Sequence, residues 1–110
     1  MFALDRKERS IGRLAMQFVI HAMDKKDGLR ARAKSYHAHR VHLDEARTYG
    51  VDVLTAGPLV AKDGETPVGS LFIVDAKDRA AVEAFTSSDP YNVNGVWETI
   101  EIHYYRKKRG

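Results

Sequence analysis

Four short segments rich in β-branched and aromatic residues alternate with two stretches of helix-forming residues, and this order is the strongest constraint on the fold. The β-rich segments lie at 17–22, 51–55, 70–74 and 96–105, and such residues favour half-buried strands. The helical stretches run from Leu29 to Tyr49, where Gly50 provides a stop, and from the candidate N-cap Asp78 to Ser87. Segment 57–69 is rich in glycine and proline and is predicted to be a loop that can contain a short extended piece at 59–61. The predicted order is β-α-β-β-α-β.

This order predicts an α+β fold of the ferredoxin-like type. Right-handed crossovers place both helices on one face of a four-stranded antiparallel sheet. The other face then lacks a cover, although three of the strands carry apolar residues on both faces. Because 110 residues suffice for about one domain, the cover that needs the fewest additional residues is a second copy of the sheet. The sequence therefore predicts a homodimer.

The apolar positions of the first helix and of the last strand predict which faces are buried. At 100° per residue, one helical stripe is predicted to face the core, with His39 on its shoulder. That stripe consists of Leu29, Ala33, Tyr36, Leu43 and Ala46. In the last strand, strict alternation aligns Glu98 with Ile100 and Ile102 and puts Trp97 on the opposite face.

The charge of the chain is concentrated at its two ends. Lys+Arg 18 and Asp+Glu 15 give a formal net charge of +3. Residues 1–15, a predicted N-terminal appendage, carry four basic and two acidic residues, and the tail 106–110 carries four basic residues. The predicted domain, 16–105, is therefore acidic overall, which does not favour nucleic-acid binding. The tail is interpreted as a solvated end.

Several classes of protein are excluded or disfavoured by composition. The chain has no cysteine, so disulfides, cysteine-ligated zinc, iron–sulfur clusters and thiol nucleophiles are excluded. No apolar run approaches the ~20 residues that a membrane span needs. The first fifteen residues lack the apolar core of a secretory signal, Met16 is an alternative start, and we expect a cytoplasmic protein.

Short motifs along the domain resemble those of the YciI-like (YCII-related) family. They are His-Ala-x-Asp-Lys at 21–25, Tyr-His-Ala-His at 36–39, Ala-Gly-Pro-Leu at 56–59, Gly-Ser-Leu-Phe-Ile-Val at 69–74 and Asp-Pro-Tyr at 89–91. Each is weak alone, but the combination and its spacing are specific. The resemblance covers residues 16–105. It implies a dimeric α+β barrel, similar to muconolactone isomerases, and an enzyme whose site contains one histidine and one aspartate.

By position, the family's histidine and aspartate correspond to His39 and Asp89. Many relatives follow the histidine with leucine, whereas Arg40 follows His39 here and a His-Leu pair occurs at His42. Counting back from Gly50 favours His39, and His42 is the alternative. The resemblance does not identify a substrate.

A histidine with a bonded carboxylate is suited to proton transfer, because the carboxylate fixes the tautomer and increases the basicity of the ring. His39 and Asp89 thus predict cofactor-free acid–base chemistry, namely isomerisation, elimination or hydration of a small organic molecule. Alternatively, His39 bonds to a backbone carbonyl and Asp89 only turns the chain before Pro90. A non-catalytic dimeric module that binds a small ligand is the second functional hypothesis.

Four further residues are candidates for binding the substrate. Ser70 opens the third strand and offers a hydroxyl, and Tyr91 offers an aromatic wall beside Asp89. Tyr36 lies one turn before His39. Glu98 is interpreted either as a polar group of a pocket or as a strand-end residue in water.

Three histidines within six positions, His37, His39 and His42, raise the question of a metal. His39 and His42 can share one side of a helix. However, no His-Glu-x-x-His spacing is present, and a third ligand would have to come from another element, namely from His21, Asp89 or Glu98. We therefore expect no metal and no cofactor.

Overall fold

The structure, a computed structural model, describes residues 16–110. The predicted appendage, 1–15, lies outside the described residues, and the proposed domain boundaries stay a prediction. The strands are β1 (Met16–Asp24), β2 (Val51–Val60), β3 (Pro67–Ala76) and β4 (Trp97–Tyr105). The helices are α1 (Leu29–Asp44), α2 (Arg79–Ser87) and the single turn α3 (Pro90–Val93), with a 3-10 helix at Ala46–Tyr49. The predicted order of the main elements is confirmed, and α3 is an addition.

The four strands form one antiparallel sheet in the order β2-β3-β1-β4. In its centre, Ile20 of β1 pairs with Phe72 of β3 on one side and with Ile102 of β4 on the other. Val82 and Phe85 of α2 belong to the same buried cluster. Each fully buried large apolar side chain of this kind contributes about 1.5–3 kcal/mol. The fold is therefore the predicted ferredoxin-like α+β arrangement, with its core between the sheet and the helices.

The predicted core face of α1 is wrong. Leu29 and Tyr36 of the apolar stripe are 54% and 53% exposed, and of the five residues of that stripe only Ala46 is buried. The face that packs against the sheet and α2 carries polar side chains instead, namely Arg32, Ser35, His39 and His42. Polar groups can be buried at little cost when they are hydrogen-bonded, and each of these four has a partner in the structure.

The predicted loop at 57–69 is mostly strand. Strands β2 and β3 extend as a hairpin, and only residues 61–66 connect them. Pro58 is compatible with β2 because β2 is an edge strand, where a missing backbone N–H is tolerated. Within the connection, the Asp63 carboxylate accepts hydrogen bonds from the backbone N–H groups of Glu65 and Thr66, both at 2.9 Å. The outer parts of β2 and β3, joined by residues 61–66, therefore form one ordered hairpin, the β2–β3 arm.

An irregularity in β4 changes the predicted alternation of that strand. The pairing with β1 shifts between Asp24, opposite Trp97, and Met23, opposite Thr99, so that Glu98 is an extra residue. This β-bulge turns Trp97 into the core, where it is 4% exposed, and leaves Glu98 exposed. The predicted alignment of Glu98 with Ile100 and Ile102 is therefore wrong.

The opposite face of the sheet is only partly covered. Val19, Leu71 and Ile73 project from it and are of intermediate exposure. Among the described residues, no helix is both long enough and apolar enough to cross a membrane.

Candidate active site

The buried side of α1 brings His39 against Asp89. Nδ1 of His39 lies 2.8 Å from Oδ1 and 3.0 Å from Oδ2 of Asp89, and the two residues are 8% and 1% exposed. Asp89 is the N-cap of α3 and accepts a further bond from the backbone N–H of Tyr91 at 2.8 Å. An ionised carboxylate only accepts hydrogen bonds, so Nδ1 carries the proton. Nε2 is then the ring nitrogen that can exchange a proton with a bound molecule.

Tyr91 holds the imidazole from one side. The rings of His39 and Tyr91 are stacked, with their centroids 3.9 Å apart and an angle of 9° between their planes. The Arg32 guanidinium lies over the Tyr91 ring, 4.6 Å from its centroid. Burial raises the pKa of Tyr91, and the nearby charge of Arg32 opposes this effect. The phenol is therefore neutral at pH 7, and its ring fixes the plane of His39.

Arg32, which lies against the Tyr91 ring, connects α1 to strands β1 and β3. Its guanidinium donates to both carboxylate oxygens of Asp24, at 2.9 and 3.1 Å, and to the backbone carbonyl of Gly69 at 2.8 Å. It also donates to Oγ of Ser70 at 2.9 Å, and the Trp97 indole N–H donates to the same oxygen at 3.3 Å. Sequence reasoning missed Arg32. Its spacing of seven residues from His39, two helical turns on one face, was the available signal.

A cavity of about 540 Å³ lies between α1 and the β2–β3 arm. Most of the apolar stripe of α1 forms one wall, Ala56, Gly57 and Pro58 form the other, and Phe72 and Ser70 lie beneath. The lining residues are Leu29, Arg32, Ala33, Tyr36, His39, Arg40, Leu43, Ala56, Gly57, Pro58, Pro67, Ser70, Phe72 and Tyr91. The exposed apolar stripe thus faces a cavity large enough for a small organic molecule.

Three of the four predicted binding residues line this cavity together with His39, namely Tyr36, Ser70 and Tyr91. Glu98 does not line it, because the bulge in β4 leaves its side chain exposed. Cavity-lining residues of the hairpin, namely Gly57, Pro58 and Pro67, were not predicted as site residues, because segment 57–69 was predicted to be a loop.

The other histidines of α1 lie apart from the cavity. Nε2 of His42 lies 2.7 Å from the backbone carbonyl of Phe85, and the two rings are stacked with centroids 4.7 Å apart. His42 therefore connects α1 to α2, whereas His37 is exposed. Within residues 16–110, histidine and carboxylate side chains form no group of three that could hold a metal ion.

Solved structures similar to this chain share its fold. The 5-chloro-2-hydroxyhydroquinone dehydrochlorinase TftG of Burkholderia phenoliruptrix AC1100, in complex with 2,5-dihydroxybenzoquinone, is 25% identical, with a TM-score of 0.70 over 86% of this chain and 96% of its own. An antibiotic biosynthesis monooxygenase (14% identity, 86% and 99% coverage) and PA3566 from Pseudomonas aeruginosa (11%, 86% and 95%) each have a TM-score of 0.52. The last two similarities concern the fold alone.

No protein of curated function matches the sequence. The model of the YCII-related domain matches residues 16–106, which confirms the resemblance of the sequence motifs, and the chain belongs to the YCII-related family.

Proposed function

We propose that this protein is a cofactor-free enzyme in which His39 acts as general acid and base on a small organic molecule. The observation that carries the proposal is the 2.8 Å contact of His39 Nδ1 with Asp89, on a histidine that also lines the cavity. Asp89 holds the tautomer in which Nε2 is unprotonated, and its charge stabilises the imidazolium that forms when Nε2 accepts a proton.

The reaction class is proton transfer with isomerisation, elimination or hydration. In an elimination, Nε2 takes a proton from the substrate, and the electrons of that bond expel a leaving group on a neighbouring atom. In an isomerisation, the same proton returns at another position. The similarity to a dehydrochlorinase of one-ring substrates supports the elimination class.

Three of the remaining cavity residues have proposed roles in binding. The Ser70 hydroxyl lies beneath the cavity and is oriented by its two donors, Arg32 and Trp97. Tyr91 supports the imidazole, and Tyr36 forms part of the wall near the opening. Glu98 has no part in this proposal, because its side chain does not reach the cavity.

The test has two measurements. Turnover of a chlorinated hydroxyhydroquinone is measured as released chloride, and binding of 2,5-dihydroxybenzoquinone is measured separately. His39→Gln removes the imidazole, and we expect turnover to fall by about 10²–10⁴ while the quinone still binds. His37→Gln, on the same helix but exposed and outside the cavity, is the control and should retain full turnover. Quinone binding without any turnover would favour the alternative, a non-catalytic ligand-binding module. Equal turnover by the His39 and His37 variants would refute the role of His39.

The homodimer is part of the same proposal. Val19, Leu71 and Ile73 form an incompletely covered apolar strip on the face of the sheet opposite the helices, and a second sheet is a matching cover. Sedimentation equilibrium should give twice the mass of the chain, and Ile73→Lys should reduce it to that of one chain. Ala84→Lys, on the exposed side of α2, is the control. A single-chain mass for the unaltered protein would exclude the dimer.

The cytoplasmic location stays a prediction.

A further inference from the structure

Among residues 16–110, the charged side chains that line the cavity are all basic. They are Arg32 and Arg40, accompanied by the imidazole of His39, and no aspartate or glutamate of this part of the chain lines the cavity. The nearest carboxylates of the network, Asp24 and Asp89, bond to Arg32 and His39 but do not belong to the lining. Guanidinium groups and no carboxylate among the described residues therefore face the cavity, which favours a negatively charged occupant.

Arg32 and Arg40 differ in how their charges are compensated. Arg32 is buried and makes a two-pronged ion pair with Asp24, so its charge is already neutralised. Arg40 is exposed, and its hydrogen bond goes to a neutral group, the Tyr36 hydroxyl, at 3.2 Å. Over residues 16–110, no carboxylate lies within ion-pair distance of Arg40. Asp44, one turn further along α1, acts on it only through its charge.

The position of Arg40 suits it to contact a ligand in the cavity. It follows His39 in the chain and lines the cavity together with Tyr36. Its guanidinium carbon lies 5.7 Å from the centroid of the Tyr36 ring, so Tyr36 restrains the cation through its ring as well as through the hydroxyl that accepts its hydrogen bond. A guanidinium presents a planar set of donors that matches an anionic oxygen substituent such as a carboxylate.

We propose that the ligand of this cavity is a small planar organic anion, whose ring lies between α1 and the β2–β3 arm and whose charged oxygen is bound by Arg40 beside Tyr36. Arg40 is then the residue that determines specificity for a charged over a neutral ring. This inference rests on the proposed function for the location of the site, but not on the role of His39 as a base.

The probes are benzoate and benzamide, which have nearly the same size and shape and differ in charge. Binding is monitored by NMR through the indole N–H of Trp97, the single tryptophan of the chain. This N–H donates a hydrogen bond to Ser70, which lines the cavity. We expect benzoate to bind about five-fold more tightly than benzamide, the ratio given by one partly exposed ion pair. Increasing the salt concentration should weaken the binding of benzoate only.

Arg40→Gln should remove this preference by weakening benzoate about five-fold and leaving benzamide unchanged. Arg40→Lys keeps the charge and should retain part of the preference. Lys34→Gln removes the same charge from an exposed position of α1 outside the cavity, and should have no effect. Equal affinities for the two probes, no binding of either probe, or the same result for the Arg40 and Lys34 variants would each overturn the proposal.

The His39→Gln variant separates this inference from the proposed function. If His39 is the base, the variant loses turnover but keeps its preference for benzoate. If turnover survives in this variant while the preference still depends on Arg40, the proposed function fails and the assignment of Arg40 stands.

Discussion

Asp89→Asn is the most informative single change, because the structure specifies what each atom of the new amide must do. The oxygen that accepts from the Tyr91 backbone N–H can still do so, since asparagine is as good an N-cap as aspartate. The amide nitrogen then occupies the place of Oδ2, 3.0 Å from Nδ1 of His39. The amide oxygen stays 2.8 Å from Nδ1 and can still accept its proton, so the change removes the negative charge beside the ring and places a second donor next to the Nδ1–H group.

The expected loss of activity follows from the charge that is removed, because a neutral amide no longer stabilises the imidazolium that forms when Nε2 accepts a proton. A hydrogen bond to a charged group is worth about 1.5–3 kcal/mol and one between neutral groups about 0.5–1.5 kcal/mol, so the difference of roughly 1–1.5 kcal/mol corresponds to about a 5- to 13-fold decrease in rate. Stability should change by less than about 1 kcal/mol, because the cap is kept. The measurements are turnover and the ¹⁵N shifts of the His39 ring nitrogens, which distinguish the two tautomers.

A matched control is available in the first turn of α2. Asp78 caps this helix and accepts from the backbone N–H of Ala81 at 2.9 Å, and no histidine within residues 16–110 is among its hydrogen-bond partners. Asp78→Asn should therefore leave both the ring nitrogen shifts and turnover unchanged. If Asp89→Asn leaves both the ring nitrogen shifts and turnover unchanged, the assignment of Asp89 as the positioning residue is refuted.

Two further changes probe the surroundings of the site. Arg32→Met leaves the buried Asp24 carboxylate without its cation, which should cost about 3–5 kcal/mol in urea unfolding, and the double change with Asp24→Leu should recover most of that loss; equal stabilities of the single and double variants would contradict this reasoning. The pKa of Asp63 is lowered to about 2, chiefly by the hydrogen bond from the Thr66 side chain and then by backbone bonds, against 3.8 for the free group. The carboxylate therefore stabilises the folded state above pH 3.8, and this contribution is lost as the pH falls towards 2. Asp63→Asn should make thermal stability less dependent on pH across this interval, and an unchanged pH dependence would contradict the assignment.

The sequence predicted the order of the elements because each strand carries a run of β-branched or aromatic residues and each helix has clear ends. It also identified His39 and Asp89 as a pair, through the resemblance to a family. The geometry of the pair depends on the buried face of α1, where polar residues replace the expected apolar ones. Apolar periodicity does not detect a face of this kind, because its burial depends on partners such as Asp89 and the Phe85 carbonyl, which lie far away in the chain.

The other two differences arise from backbone features that depend on pairing. A bulge places one additional residue in β4, and the sequence of Glu98 and its neighbours contains no glycine or proline that would indicate it. Pro58 and the surrounding glycines predict a loop, but pairing with β3 keeps this edge segment extended. In both cases the neighbouring strand decides the outcome.

The polar attachment of α1 has a consequence for how such a protein changes during evolution. Stability depends on buried residues of the helix such as Arg32 and His42, whereas much of the cavity wall is formed by exposed residues such as Leu29 and Tyr36. Substitutions at exposed positions usually alter stability by no more than about 0.5 kcal/mol. The ligand preference of the cavity can therefore drift between relatives, or be redesigned in the laboratory, while the helix and the orientation of His39 are inherited unchanged.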